Sequence, residues 1–129
     1  MIAIDTNVVV RYLTDDHPEQ GMKARALIDN TGVFVGTAVL LETEWVLRRV
    51  YGFAAAPLAQ AMRGFAGLRH VTIEDPGLIA QALDWMEAGL DFADALHWAK
   101  AAGCEAFVTF DRRFARAANK LGTVRVRTP

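Results

Sequence analysis

Met1-Ile2-Ala3-Ile4-Asp5-Thr6-Asn7-Val8-Val9-Val10 opens the chain with an apolar run, an acid and a second apolar run. Ile2-Ala3-Ile4 has the character of a short buried strand. Asp5-Thr6-Asn7 supplies turn and helix-capping chemistry. Val8-Val9-Val10 fits a helix or a continued strand on pattern alone. The capping residues favour a strand to about residue 4 and a helix from about 7 to 14. A strand that hands over directly to a helix is the unit of an α/β fold.

The same order recurs along the chain. Pro18 opens a second helix, with Met22, Ala26 and Leu27 as its apolar face and an end by Asn30-Thr31-Gly32. Val33-Phe34-Val35 is a second strand, and Thr37 can cap a helix to about 51 that turns Leu41, Trp45 and Val46 inward. Gly52 ends it and Pro57 opens the next, with Leu58, Met62 and Phe65 on one face. His70-Val71-Thr72-Ile73 is a third strand, followed by a helix from about 76 to 88 with Ile79, Leu83 and Met86 three to four residues apart. A helix over Asp91 to Ala102, a strand over Ala106 to Phe110, a short helix from about 112 to 119 and an edge strand at Val124-Arg125-Val126 complete the series. Short apolar strands alternating with helices imply a mainly parallel sheet of four to five strands, with helices on both faces. No repeat or linker divides the chain, so residues 1–129 read as a single domain.

The bulk numbers agree. A chain of 129 residues, 53% hydrophobic and 22% charged, can bury a core. Its apolar runs fall short of the roughly 18 residues of a membrane span. The start lacks the basic and long apolar segments of a signal peptide. A lone Cys104 makes no internal disulfide and suits a reducing cytoplasm; as a small residue it is expected half-buried. Net charge is −1, so the molecule as a whole does not attract nucleic acid. The basic residues are 11 Arg against 3 Lys, which hints at phosphate contacts and equally at a GC-rich genome.

Four acids adjoin apolar runs: Asp5, Glu42, Asp94 and Asp111. A buried carboxylate is costly unless it is paired, hydrogen-bonded or bound to metal. Several at one spot repel and need a cation to stay ionised. Asp5 follows the first strand and Asp111 the fourth. Glu42 and Asp94 lie in the first turns of helices, with Asp91 one turn before Asp94. In parallel sheets ligands bind beyond the carboxyl ends of strands, where these positions fall. Helix capping accounts equally well for Asp5 and Asp111, and a helix dipole for Asp94. Glu44 competes with Glu42. Oxygen donors select Mg²⁺ or Mn²⁺ over zinc. His17, His70 and His97 have no ligand spacing, the chain has no serine, and no Gly-rich phosphate loop is present.

The motifs Ile2-Ala3-Ile4-Asp5-Thr6-Asn7, Val39-Leu40-Leu41-Glu42, Asp91-Phe92-Ala93-Asp94-Ala95-Leu96 and Phe107-Val108-Thr109-Phe110-Asp111, in this order, resemble the PIN-domain ribonucleases. Within them they resemble the VapC toxins of toxin–antitoxin pairs. The resemblance covers residues 1 to about 126. It implies a PIN-like three-layer α/β/α sandwich and a Mg²⁺-dependent endoribonuclease, with Mn²⁺ as substitute. It makes Asp5, Glu42, Asp94 and Asp111 the metal-binding and catalytic quartet. Asn7 and Thr109 match polar positions that orient carboxylates or water, and Asp91 matches a frequent extra acid. A homodimer and a VapB-like antitoxin are implied as partners, with RNA as substrate. For RNA contact Arg11 ranks first, then Arg112 and Arg113, with Arg116, Arg48 and Arg49 behind; surface ion pairing explains each as well. Two rival readings remain. One is a non-catalytic PIN-like binding module. The other is a phosphohydrolase with Asp5 as nucleophile, which lacks the usual second Asp beside it and a suitably placed lysine.

Overall fold

The computed structural model describes residues 1–122 and 124–129. Two compact units divide the chain, Met1–Pro76 and Gly77–Pro129.

In the first unit β1 (Ile2–Ala3) leads into α1 (Thr6–Leu13), then α2 (Pro18–Asn30), β2 (Val33–Val35), α3 (Thr37–Arg49), α4 (Ala55–Ala66) and β3 (Val71–Ile73). The strands pair in the order β1-β2-β3, all parallel, with Ile2 beside Val33 and Val33 beside Val71. Asp5 ends the first strand as N-cap of α1, which is why the three valines that follow are helical and not extended. Val9 and Val10 are then buried, and full burial of such a side chain is worth about 1.5–3 kcal/mol. Pro18 stands at the start of α2, where its missing N–H costs nothing. His17, one residue before, accepts from Gln20 N through its ring (3.2 Å). The core collects Ile28, Leu40, Leu47, Leu58, Met62 and Phe65. Gly52, at φ +73°, lets the chain turn left-handed after α3.

In the second unit α5 (Pro76–Glu87) and α6 (Phe92–Ala99) precede β4 (Ala106–Val108), α7 (Arg112–Ala118) and β5 (Arg125–Arg127). Strands β4 and β5 are parallel, with Val108 beside Arg127. Aromatic rings form the centre: Trp85 stacks on Trp98 at 4.0 Å, and Phe114 meets Trp98 and Phe107 edge-on at 6.0 and 6.1 Å. Trp98 is fully buried, and its indole N–H donates to Val124 O (3.0 Å). Gly122 passes so close to the Trp98 ring that a Cβ there would sit 2.3 Å from it. Asn119 donates to Val126 O (2.7 Å) and accepts from Val126 N (2.8 Å).

The α/β class, the parallel pairing and the helices between strands are those of the expected α/β/α arrangement. The expected four to five mainly parallel strands are present, among the described residues as ladders of three and two; each strand is only two or three residues long, so a ladder holds few bonds. Several local expectations need correction. Met22 is 68% exposed, and Gly21, Ala24 and Ile28 form the buried face of α2. Trp45 is 51% exposed, because Leu40, Thr43, Glu44 and Leu47 take the inner stripe of α3. Gly36 and not Thr37 is the N-cap of α3; Thr37 is its first residue, and its N–H donates to Glu74 (3.0 Å). Helix α4 begins at Ala55, two residues before Pro57. Cys104 is exposed, in the turn before β4. Among the described residues, no helix is long and apolar enough to cross a membrane.

Candidate functional site

In the first unit Asp5 lies exposed at the N-terminus of α1 and accepts from Val8 N (3.3 Å). The next residue, Thr6, is buried and donates its hydroxyl to Glu42 on α3. That bond ties the chain leaving β1 to the acid that follows β2. Sequence reading missed Thr6; its hydroxyl between two candidate polar residues was the available signal. Glu42 is exposed, whereas Glu44 is 2% exposed and ion-paired to Arg48 at 2.8 Å. Glu44 thus ties α3 to its own next turn, while Glu42 is exposed.

Asn7 and Arg11 line a cavity of about 310 Å³ between α1 and α2, with Gln20 and Lys23. The Arg11 guanidinium donates to Gln20 (2.7 Å), to the Tyr51 hydroxyl (3.1 Å) and weakly to Asp16 (3.5 Å). The Tyr51 hydroxyl donates in turn to Asp16 (2.7 Å). That bond, more than any other contact, holds the Asp16 carboxyl below the usual range, with Thr14 and Arg11 adding to it. Arg11 is therefore engaged within the first unit, tying α1 to α2 and to the residue beyond α3.

In the second unit Asp91, Asp94 and Asp111 line one cavity of about 190 Å³, with Arg113 at its margin. Asp91 is the N-cap of α6 and accepts from Asp94 N (3.1 Å). Asp111 is the N-cap of α7 and accepts from Phe114 N (2.9 Å). Thr109 accepts the Asp111 N–H through its hydroxyl (3.1 Å), which orients the acid's backbone. Two helix starts thus deliver carboxylates to one place. Asp94, half-buried among them, has its pKa raised, first by burial and then by the negative charges of Asp91 and Asp111; His97 opposes the shift. Arg112 and Arg113 are exposed on α7.

Among the described residues no three Asp, Glu, His or Cys side chains converge closely enough to hold a metal ion as they stand. The donor set of the second unit still fits a hard cation by its chemistry. It is all oxygen, its three acids line one cavity, and the pKa of Asp94 is raised first by burial and then by the like charges of Asp91 and Asp111, the second of which a cation would offset. Mg²⁺ commonly keeps several waters and takes one or two carboxylates directly, which suits carboxylates placed too far apart to close around a bare ion.

A PIN-domain family model matches residues 2–120, and the chain belongs to the PIN-domain family. Among solved structures it is similar to VapC20 of Mycobacterium tuberculosis, described as a sarcin–ricin loop cleaving toxin. Identity is 24% over 91% of this chain and 95% of that one, with a TM-score of 0.46. A likeness that distant carries no activity across. No match was found among the curated proteins.

Proposed function

We propose that this PIN-domain chain is a metal-dependent endoribonuclease, the toxin of a toxin–antitoxin pair, with Asp5, Glu42, Asp94 and Asp111 as its essential acids. The observation that carries the reading is the shared cavity of Asp91, Asp94 and Asp111, where burial and the neighbouring negative charges raise the pKa of Asp94. When bound, Mg²⁺ or Mn²⁺ would supply a more acidic water and would offset negative charge on the phosphate. Asp94 and Asp111 are the residues of the second unit that would hold it, with Asp91 as a further acid; Asp5 is proposed as essential on the family resemblance. Glu42, steadied by the Thr6 hydroxyl, serves as a further ligand or takes a proton from the attacking water. Thr109 and Asn7 orient neighbouring groups. Arg112 and Arg113 meet phosphate; Arg11, already bonded to Gln20 and Tyr51, acts mainly by holding α1. Residues 1–129 act as one domain in this reading. A homodimer, a VapB-like antitoxin and a cytoplasmic setting come with it, on family resemblance.

A second reading has a specific observation in its favour. Asp5, Asp91 and Asp111 each cap a helix, and among the described residues no three acids come close enough to hold a metal ion as they stand, as suits a PIN-like module that binds without cleaving. Sequencing RNA ends after pulse expression of wild type and Asp94→Asn separates the two. New 5′-phosphate and 3′-hydroxyl ends with wild type alone support the nuclease. Ends bearing 2′,3′-cyclic phosphate would sink the metal–water chemistry, and no new ends would favour the module.

A further inference from the structure

Phe110 is 86% exposed, more than any other large hydrophobic side chain among the described residues. Its backbone is nevertheless tied on both sides. Thr109 N donates to Arg127 O (2.9 Å), extending the β4–β5 ladder by one residue, and Asp111 N donates to the Thr109 hydroxyl (3.1 Å). Asp111 in turn caps α7. The ring is therefore presented to solvent from a fixed stretch of chain, one residue from an acid of the candidate site.

Strand alternation shows what lies beside it. Phe107 packs on Phe114, while Val108 is 47% exposed, and Phe110 is the next residue in Val108's alternation. Across the ladder Val108 pairs with Arg127 and Ala106 with Arg125. Both arginines are exposed, and Val126 between them is buried. Arg112 and Arg116 on α7 line another open cavity, of about 450 Å³, with Thr128. From residue 106 to 129 six of the chain's fourteen Lys and Arg meet one acid, Asp111, although the whole chain carries −1. The stretch from 106 to 129 thus combines an exposed aromatic ring with an excess of positive charge.

We propose that this face of β4–β5 receives single-stranded RNA, with Phe110 stacking on an unpaired base and Arg125 and Arg127 on the adjoining phosphates. The proposal rests on the nuclease reading and specifies the form of its substrate. An aromatic platform beside guanidinium groups accepts any unstacked base and a phosphate backbone, and a base inside a duplex has no free face to offer. A protein partner on Val108 and Phe110 is the competing occupant; the surrounding charge favours a polyanion over an apolar surface.

The test uses the full chain in EDTA, so that no cleavage intervenes, and a short single-stranded RNA containing 2-aminopurine. The reads are binding anisotropy, quenching of the base and the dependence on salt. Phe110→Ala is expected to weaken binding about tenfold, ~1.4 kcal/mol, and to abolish quenching. Phe110→Trp should retain both, Phe110→Leu should resemble the alanine variant, and Arg127→Ala should flatten the salt dependence. Thermal melts confirm that the variants fold. Wild-type affinity in Phe110→Ala, or in Phe110→Leu, overturns the stacking role while leaving the nuclease reading intact. Unchanged RNA binding together with loss of an oligomer on sedimentation assigns the face to a protein partner instead. A wild-type chain that binds no single-stranded RNA removes this proposal, and new RNA ends in the expression experiment then show whether the nuclease reading survives it.

Discussion

In the first unit the candidate acids are served by donors from their own fold; in the second Asp91 and Asp111 are served in the same way by the helices they cap, but they share a cavity with Asp94, whose pKa they raise. Asp5 receives Val8 N and Glu42 receives the Thr6 hydroxyl. Asp94 sits half-buried against Asp91 and Asp111, and its carboxyl is harder to ionise for that reason. An acid satisfied by hydrogen bonds can be explained by folding alone. Burial and the charges of two neighbouring acids raise the pKa of Asp94, and that asymmetry is why the proposed function rests on the second unit.

The sharpest way to break this comparison is to neutralise one acid on each side. Asp94→Asn should reduce RNA cleavage at least about a hundredfold, ~2.7 kcal/mol of barrier, and abolish Mn²⁺ heats in calorimetry. Retention of Mn²⁺ binding would show that the crowded cavity is not the metal site. Asp5→Asn should cost more than about tenfold in cleavage, ~1.4 kcal/mol, with little change in melting, because Asn caps a helix about as well as Asp. A cleavage loss smaller than that removes Asp5 from the essential set.

Next in size come effects on stability. Glu44→Ala leaves the Arg48 guanidinium without its nearest carboxylate and empties a buried position, and should cost about 2–3 kcal/mol in urea titration. Glu42→Gln keeps an acceptor for Thr6 and should stay within about 0.5 kcal/mol of wild type, while cleavage falls. If the two effects were reversed, Glu44 and not Glu42 would be the working acid.

The smallest effect concerns pH. The pKa of Asp94 is higher in the folded chain than in the unfolded one, so folding favours its protonated form. Its contribution is therefore present below the ordinary Asp range and is lost as pH rises through the raised value. Metal-free Asp94→Asn should melt slightly above wild type at neutral pH, with the difference vanishing in acid. A variant less stable than wild type at neutral pH would mean that Asp94 makes a favourable contact that outweighs the repulsion.

Much of this was legible in the sequence because the signals are local. Asp5 and Asp111 end apolar runs and begin helices, and Asp91 and Asp94 stand one turn apart, so their elements follow from capping and spacing. Capping and spacing left Glu42 and Glu44 open, since both follow the same apolar run; the family resemblance chose Glu42, and the structure adds that Glu44 is buried against Arg48, one turn on. The faces of α2 and α3 were misjudged at Met22 and Trp45 because periodicity gives an apolar stripe without saying which edge of it meets a neighbour. Phe110 read simply as the end of a strand. Its exposure depends on where the ladder with β5 stops, which is set by residues fifteen or more positions away.

The two bonds from Asn119 to Val126 have a bearing beyond the local fold. Arg127 O is turned towards β4, so the Val126 N–H and C=O point from the opposite edge of β5. There a side-chain amide imitates the backbone of a neighbouring strand, donating and accepting as a further strand would. The outer margin of this two-stranded ladder is thereby closed to pairing at its centre. A short, charged, already satisfied edge is a poor template for aggregation, and one asparagine does here what a whole additional strand does in a larger sheet.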